Sequence, residues 1–202
     1  GNTLSSRNSF AGVKGNWGKV IWGRYDSPMK SAGRMVEYFN ERIGDARNAT
    51  AYFGKGWDNR YAEMLMYATP TLGEMFDVRL QFVPENGGNE TTVFSGAVFF
   101  KKSGFKAAVA YETKGAGMHH VVPDSAESSG GIRASLLYSA ERWSVSGLFQ
   151  SLSNVDGMKD LSATTYGLGA NFLATPKWDL KAQYYAFDPN TDMDDDASSM
   201  IV

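Results

Sequence analysis

Three features of this sequence predict an all-β fold, an antiparallel transmembrane β-barrel. Apolar and polar residues alternate with period two through about ten segments, the connections alternate short and long, and aromatic residues gather at segment ends. The 202 residues carry a net charge of -2 and no cysteine. That balance excludes the basic footprint of a nucleic-acid binder, and the missing thiols exclude disulfides and thiolate metal sites. No window of about 18 apolar residues occurs, so a membrane crossing by helix is not indicated, while strands hide their apolar character in alternation. The chain opens on the polar run GNTLSSRNS, without the pattern of a signal peptide, as a mature or truncated chain would.

The first strand is expected within Ser5 to Lys14, and Gly15-Asn16-Trp17-Gly18 is a tight turn of residues that tolerate positive φ. Lys19 to Tyr25 then reads as the second strand of a hairpin. From Asp26 to Asn59 the alternation stops for about 34 residues, longer than a connection without a role of its own. Arg60 to Thr69 resumes as a strand, although its Glu, Met, Leu and Ala also suit a helix; Pro70 ends it either way. The clearest alternation follows, with Phe76, Val78, Leu80 and Phe82 on one face. Further strands are expected over Phe94 to Lys101, Phe105 to Glu112, Ile132 to Ser139, Trp143 to Gln150, Thr165 to Phe172 and Trp178 to Ala186.

Short connections fall at Gly15 to Gly18, Thr69 to Glu74, Lys102 to Gly104, Ala140 to Arg142 and Thr175 to Lys177, and every connection between these is long. A soluble sandwich has no reason to sort loops by length onto opposite ends, whereas a membrane barrel has short turns on one side and long loops on the other. Trp17, Phe76, Phe105, Trp143 and Trp178 lie in or beside short turns. Tyr67, Phe82, Tyr111, Tyr138 and Phe149 are expected at the opposite end, so that two aromatic bands mark two membrane interfaces. A sandwich core filled by the same aromatics is the competing reading, weakened by charges in mid-strand on the other face.

At Ser6 to Pro28, SRNSFAGVKGNWGKVIWGRYDSP resembles the Gram-negative general porins, closest to their neisserial and betaproteobacterial branch. The likeness rests on an Arg-x-Ser-Phe-x-Gly-x-Lys-Gly strand, an aromatic-Gly turn and a Gly-Arg strand end opening into a long loop. Ile43-Gly44-Asp45 and Tyr67-Ala68-Thr69-Pro70 extend it. The resemblance implies a sixteen-stranded, usually trimeric barrel, of which this chain is an internal fragment with about ten strands. Residues 1–202 would form one porin domain, incomplete at both ends, with 26–59 as the inward-folded loop that narrows the pore.

Carried over by position, the resemblance makes Arg7, Arg24 and Arg60 a basic barrel wall and Glu37, Glu41 and Asp45 an acidic stretch on the loop facing it. A one-residue shift in register would turn Arg60 to the other face. The plain alternative is that these are solvated loop charges, and the loop itself is balanced, with five acids against five bases. His119-His120 has no third ligand nearby, and Asp192, Asp194, Asp195 and Asp196 lack an EF-hand's Gly and distal Glu; both read as solvated loop residues, so no metal is expected. Gly167 and Gly169 lie within a strand rather than at the start of a helix and are no dinucleotide fingerprint.

The resemblance implies a water-filled channel for passive diffusion of small hydrophilic solutes and ions in the outer membrane of a Gram-negative bacterium. It further implies a homotrimer surrounded by outer-membrane lipid and lipopolysaccharide, with no cofactor, no nucleic acid and no enzymatic activity. The alternative is a non-conducting barrel with an adhesion or structural role. A barrel hydrolase is a third class, requiring a nucleophile and base within reach of one another.

Overall fold

Period-two alternation with turn residues at its breaks produces a meander. The computed structural model describes residues 7–51, 57–85, 92–116, 127–189 and 197–201, and within them eleven strands form one sheet in sequence order. They are β1 (Ser9–Gly15), β2 (Gly18–Asp26), β3 (Arg60–Ala68), β4 (Phe76–Val83), β5 (Val93–Lys102), β6 (Phe105–Lys114), β7 (Ser129–Ser139), β8 (Trp143–Ser153), β9 (Ala163–Thr175), β10 (Trp178–Asp188) and β11 (Ala197–Ile201). Each pairs antiparallel with the next. The first ten are the strands that alternation predicts, and Arg60–Ala68 is strand, not helix. β11 is an eleventh that the sequence pattern does not announce.

Within a strand, successive side chains point to opposite faces, so register decides which residues share a surface. One face presents Leu80, Phe94, Val98, Val109, Leu136, Val145 and Leu168, all well exposed, the last at 70%. The opposite face holds Ser95, Glu112, Arg133, Gln150 and Thr165, each at 0%. A soluble protein rarely leaves so large a contiguous apolar surface uncovered. A strand in lipid does so at every second residue.

Aromatic side chains mark the edges of that apolar surface, with one correction to the sequence reading. Tyr67 and Tyr138 lie at the short-turn end, not the opposite end. The Tyr67 hydroxyl donates to the Trp17 carbonyl at 2.7 Å and its ring stacks on Trp17, while Tyr138 packs against Phe105 and Trp143 with centroids 4.5 and 5.3 Å away. The physical reason is chain direction: β3 and β7 both run toward a short turn, so their last aromatic residues reach the short-turn end. Phe82 and Tyr111 do lie toward the long connections.

The segment between β2 and β3 is not irregular throughout. It contains α1 (Pro28–Arg34) and the single turn α2 (Arg47–Thr50). Ser27 caps α1 by accepting a hydrogen bond from the Lys30 amide at 3.2 Å, and Pro28 opens the helix where its missing N–H is no loss. Met29, Ala32 and Val36 recur at helical spacing and pack with Ala97, Ala108, Ala110, Leu137 and Leu148 of the sheet's inner face. The helix thus lies flat on strands β5 to β7. His119-His120 and the aspartates at 192 and 194–196 lie outside the described residues, as do Tyr52 and Phe53 of the long segment.

Candidate functional site

Buried backbone polar groups need partners, and the long segment finds them on the strand wall. The Met29 amide donates to Ser95 Oγ at 3.3 Å. Arg133, fully buried on β7, donates to the Met29 carbonyl at 3.0 Å, to Asp58 Oδ1 at 2.5 Å and to Gln150 Oε1 at 2.9 Å. Gln150 in turn donates from Nε2 to the Thr50 carbonyl at 2.9 Å, and the Thr50 hydroxyl donates to Asp58. On β10, Gln183 accepts from the Tyr38 amide at 3.2 Å and donates to the Gly44 carbonyl. The Tyr38 and Ser144 hydroxyls bond at 2.7 Å. Gly33 is needed here, because a side chain on it would occupy the Arg133 guanidinium.

Fastening the segment to the wall leaves an open cleft of about 920 Å³ between its outer part and strands β2 and β3. Arg24 and Arg60 line it from the strands, and Glu41, Asp45, Arg42 and Arg47 line it from the segment. Arg24 reaches it because the β2–β3 register shifts between Gly23 and Tyr25, and Gly23 adopts φ 130°. Without this irregularity, alternation would place Arg24 on the face of the outward-pointing Trp22. Its Nε is buried without a hydrogen-bond partner among the described residues.

Asp26, at the end of β2, is a hub for three cations: Lys30 at 3.1 Å, Arg34 at 3.0 Å and Arg60 at 2.9 Å. Burial pulls the Lys30 ammonium below its usual range, with the neighbouring Asp26 carboxylate working in the opposite direction. Arg7 pairs with Glu41 at 2.9 Å, and Arg34 approaches the same carboxylate at 3.4 Å; Arg7 holds Glu41 below the usual carboxylate range.

Asp45 and Glu37 have opposite fates. Burial works to raise Asp45, but the Arg47 side chain, the Arg47 amide and the Glu41 amide all donate to it, and they hold it well below the usual carboxylate range. Burial pushes Glu37 up to about 7, with Asp45 beside it adding to the rise and the Ala46 amide, donating at 2.7 Å, opposing it. Arg24, Arg60, Glu41 and Asp45 are therefore brought together in one cleft, and Arg7 joins them through Glu41. Glu37 is directed beneath the segment, toward Thr50 and Leu148.

The sequence reading missed Lys30 and Arg133. An Asp26/Lys30 pair at i, i+4 spacing, bracketing the Ser27-Pro28 helix start, was a usable signal. For Arg133 there was none beyond a charge in mid-strand.

A model of the Gram-negative porins matches residues 1–201. The chain belongs to the Gram-negative porin family. Its fold is also that of solved outer-membrane barrels. A loop L8 deletion mutant of OmpT, an outer membrane protein of Vibrio cholerae, is similar with a TM-score of 0.69 at 15% identity, covering 90% of this chain and 62% of that one. Outer-membrane expressed OmpT of Vibrio cholerae matches with a TM-score of 0.50 at 15% identity, over 90% of this chain and 70% of that one. The chain thus spans 62% of the length of the first of these structures. No curated protein matches by sequence.

The porin is an outer-membrane β-barrel protein, and the exposed apolar face of its sheet is its lipid face. One expectation is overturned. The sequence reading excludes enzymatic activity, yet the similar structures are of OmpT, and likeness at 15% identity carries fold alone. That exclusion is withdrawn.

Proposed function

We propose that this porin forms part of the wall and the constriction of a water-filled channel for passive diffusion of small hydrophilic solutes and ions. The observation that carries the reading is the charged cleft, in which strand arginines Arg24 and Arg60 stand across from Glu41 and Asp45 of a segment fastened to the inner face. Charges of opposite sign on facing walls of a narrow aqueous opening sort ions by sign while leaving room for hydration. In this reading 26–59 is the constriction loop, and Arg7 and Glu37 support it, the first by holding Glu41 and the second by accepting from the Ala46 amide and so folding the loop on itself.

The barrel is a homotrimer in this reading, surrounded by outer-membrane lipid and lipopolysaccharide, and it lies in the neisserial and betaproteobacterial branch. A closed barrel larger than this eleven-stranded sheet is supported by the 62% coverage of the similar structure and by the intolerance of lipid for open sheet edges.

Replacing both Glu41 and Asp45 with Lys in the full-length protein should shift ion selectivity toward anions, seen as a displaced reversal potential in a salt gradient across a planar bilayer. An unchanged reversal potential would remove these two carboxylates from the ion path.

A further inference from the structure

At the short-turn end of the sheet, far from the arginine cleft, lies a second cleft of about 660 Å³. Lys101, Lys102 and Lys106 line it, together with the hydroxyl-bearing Ser103 and Ser139, and Glu74 is the one carboxylate in its lining. Lys101 and Lys106 are direct cross-strand partners on β5 and β6. Like charges directly opposite one another in an antiparallel pair are destabilising, so the fold gains nothing from this arrangement. None of the three lysines forms an ion pair among the described residues. A second lysine pair, Lys14 opposite Lys19, stands at another turn of the same end.

The walls of the cleft are fixed. The Lys101 amide donates to the Met75 carbonyl at 2.8 Å, and the Ser139 amide donates to the Gly104 carbonyl at 2.9 Å. The turn between the lysines has positive φ at both Ser103 (48°) and Gly104 (86°), as a tight two-residue hairpin requires. A side chain on Gly104 would also strike the Ser139 carbonyl. Lys101 and Lys106, paired across the strands, share the sheet's inner face, while Lys102 shares the outer face with Phe105; the rigid hairpin fixes the roots of the first two side chains, so that both ammonium groups can reach one anion accepting several hydrogen bonds.

We propose that this short-turn cleft binds a phosphate oxyanion, with Lys101 and Lys106 as its cationic donors and Ser103 as a hydroxyl donor. The phosphate of a small solute and that of a lipid headgroup share this chemistry. Neither source depends on the channel reading, since the site lies at the opposite end of the strands from the arginine cleft.

The full-length protein in neutral detergent is titrated calorimetrically at low salt with inorganic pyrophosphate and, separately, with short-chain phosphatidylglycerol. Saturable binding of at least one is expected, weakening with added salt and falling at least about tenfold in the Lys101→Glu, Lys106→Glu double variant. Pyrophosphate binding assigns the site to free phosphate compounds; phosphatidylglycerol binding alone assigns it to lipid. Lys101→Glu by itself places opposite charges across the strands, so its folding stability should equal or exceed that of the parent while phosphate binding falls. Absence of binding by both ligands, or equal affinity in the double variant, overturns the proposal.

Discussion

The two faces of the same sheet follow opposite rules. Outward, Val109, Leu136 and Leu168 are exposed apolar groups; inward, Arg133, Glu112 and Gln150 are polar groups with no exposure at all. Both faces come from one alternating pattern, so the difference cannot lie in local propensity. It lies in what covers each side. An outward apolar side chain is satisfied by lipid, while inward Arg133 and Gln150 donate to backbone carbonyls of the 26–59 segment, at Met29 and Thr50, and Glu112 accepts from the Tyr61 hydroxyl of β3. Hydrogen bonding fixes position far more narrowly than apolar contact. The inner face can therefore hold a loop in place while the outer face accepts any hydrocarbon.

The sharpest way to break the inner face is to remove Arg133. Arg133→Leu would leave the carboxylate of Asp58 buried without its guanidinium, and breaking a buried pair costs about 3 to 5 kcal/mol. The expected result is a lower denaturant midpoint in lipid vesicles together with protease cleavage inside 27–59. Wild-type unfolding and wild-type resistance in this variant would show that the segment is held by something else.

The outer face is tested next. Val109→Arg puts a charge near the middle of β6 on the apolar side, and should cost about 2 to 4 kcal/mol if that residue faces the bilayer midplane. On a water-facing surface the same change falls within about 0.5 kcal/mol. Reversible unfolding in vesicles separates the two values.

A smaller effect concerns pH. Glu37 is raised from 4.5 to about 7, chiefly by burial. It binds its proton more tightly docked than undocked, so its support for docking is fully present below about 4.5 and is lost as the pH rises through about 7. Protease susceptibility of the 26–59 segment should rise between pH 5 and pH 8, and Glu37→Gln should flatten that rise. A slope unaltered by the substitution would assign it to another group.

Much of the outer face was legible in the sequence, because alternation of apolar residues depends only on strand geometry. The ten strand segments and the sorting of short and long connections needed nothing more. The inner face was harder to read. Arg24 is turned inward by a register shift at Gly23 that no local pattern announces. Arg133 acquires its role only from a segment about a hundred positions earlier, and its alternation looks like that of any mid-strand charge. Tyr67 and Tyr138 were misplaced because their strands' direction relative to the short turns was not followed, although the turn positions themselves were enough to fix it. The helix over Pro28–Arg34 carried a signal in Ser27-Pro28 and in the Met29, Ala32, Val36 stripe, which has helical rather than period-two spacing.

Conduction through this porin requires the charged cleft to be part of an open aqueous path. Purified full-length protein added to a planar lipid bilayer in symmetric potassium chloride tests this directly. Stepwise increases in current, each scaling with salt concentration, are the expected result; a bilayer that stays silent after insertion of folded protein would contradict the channel and favour a barrel with an adhesion or structural role.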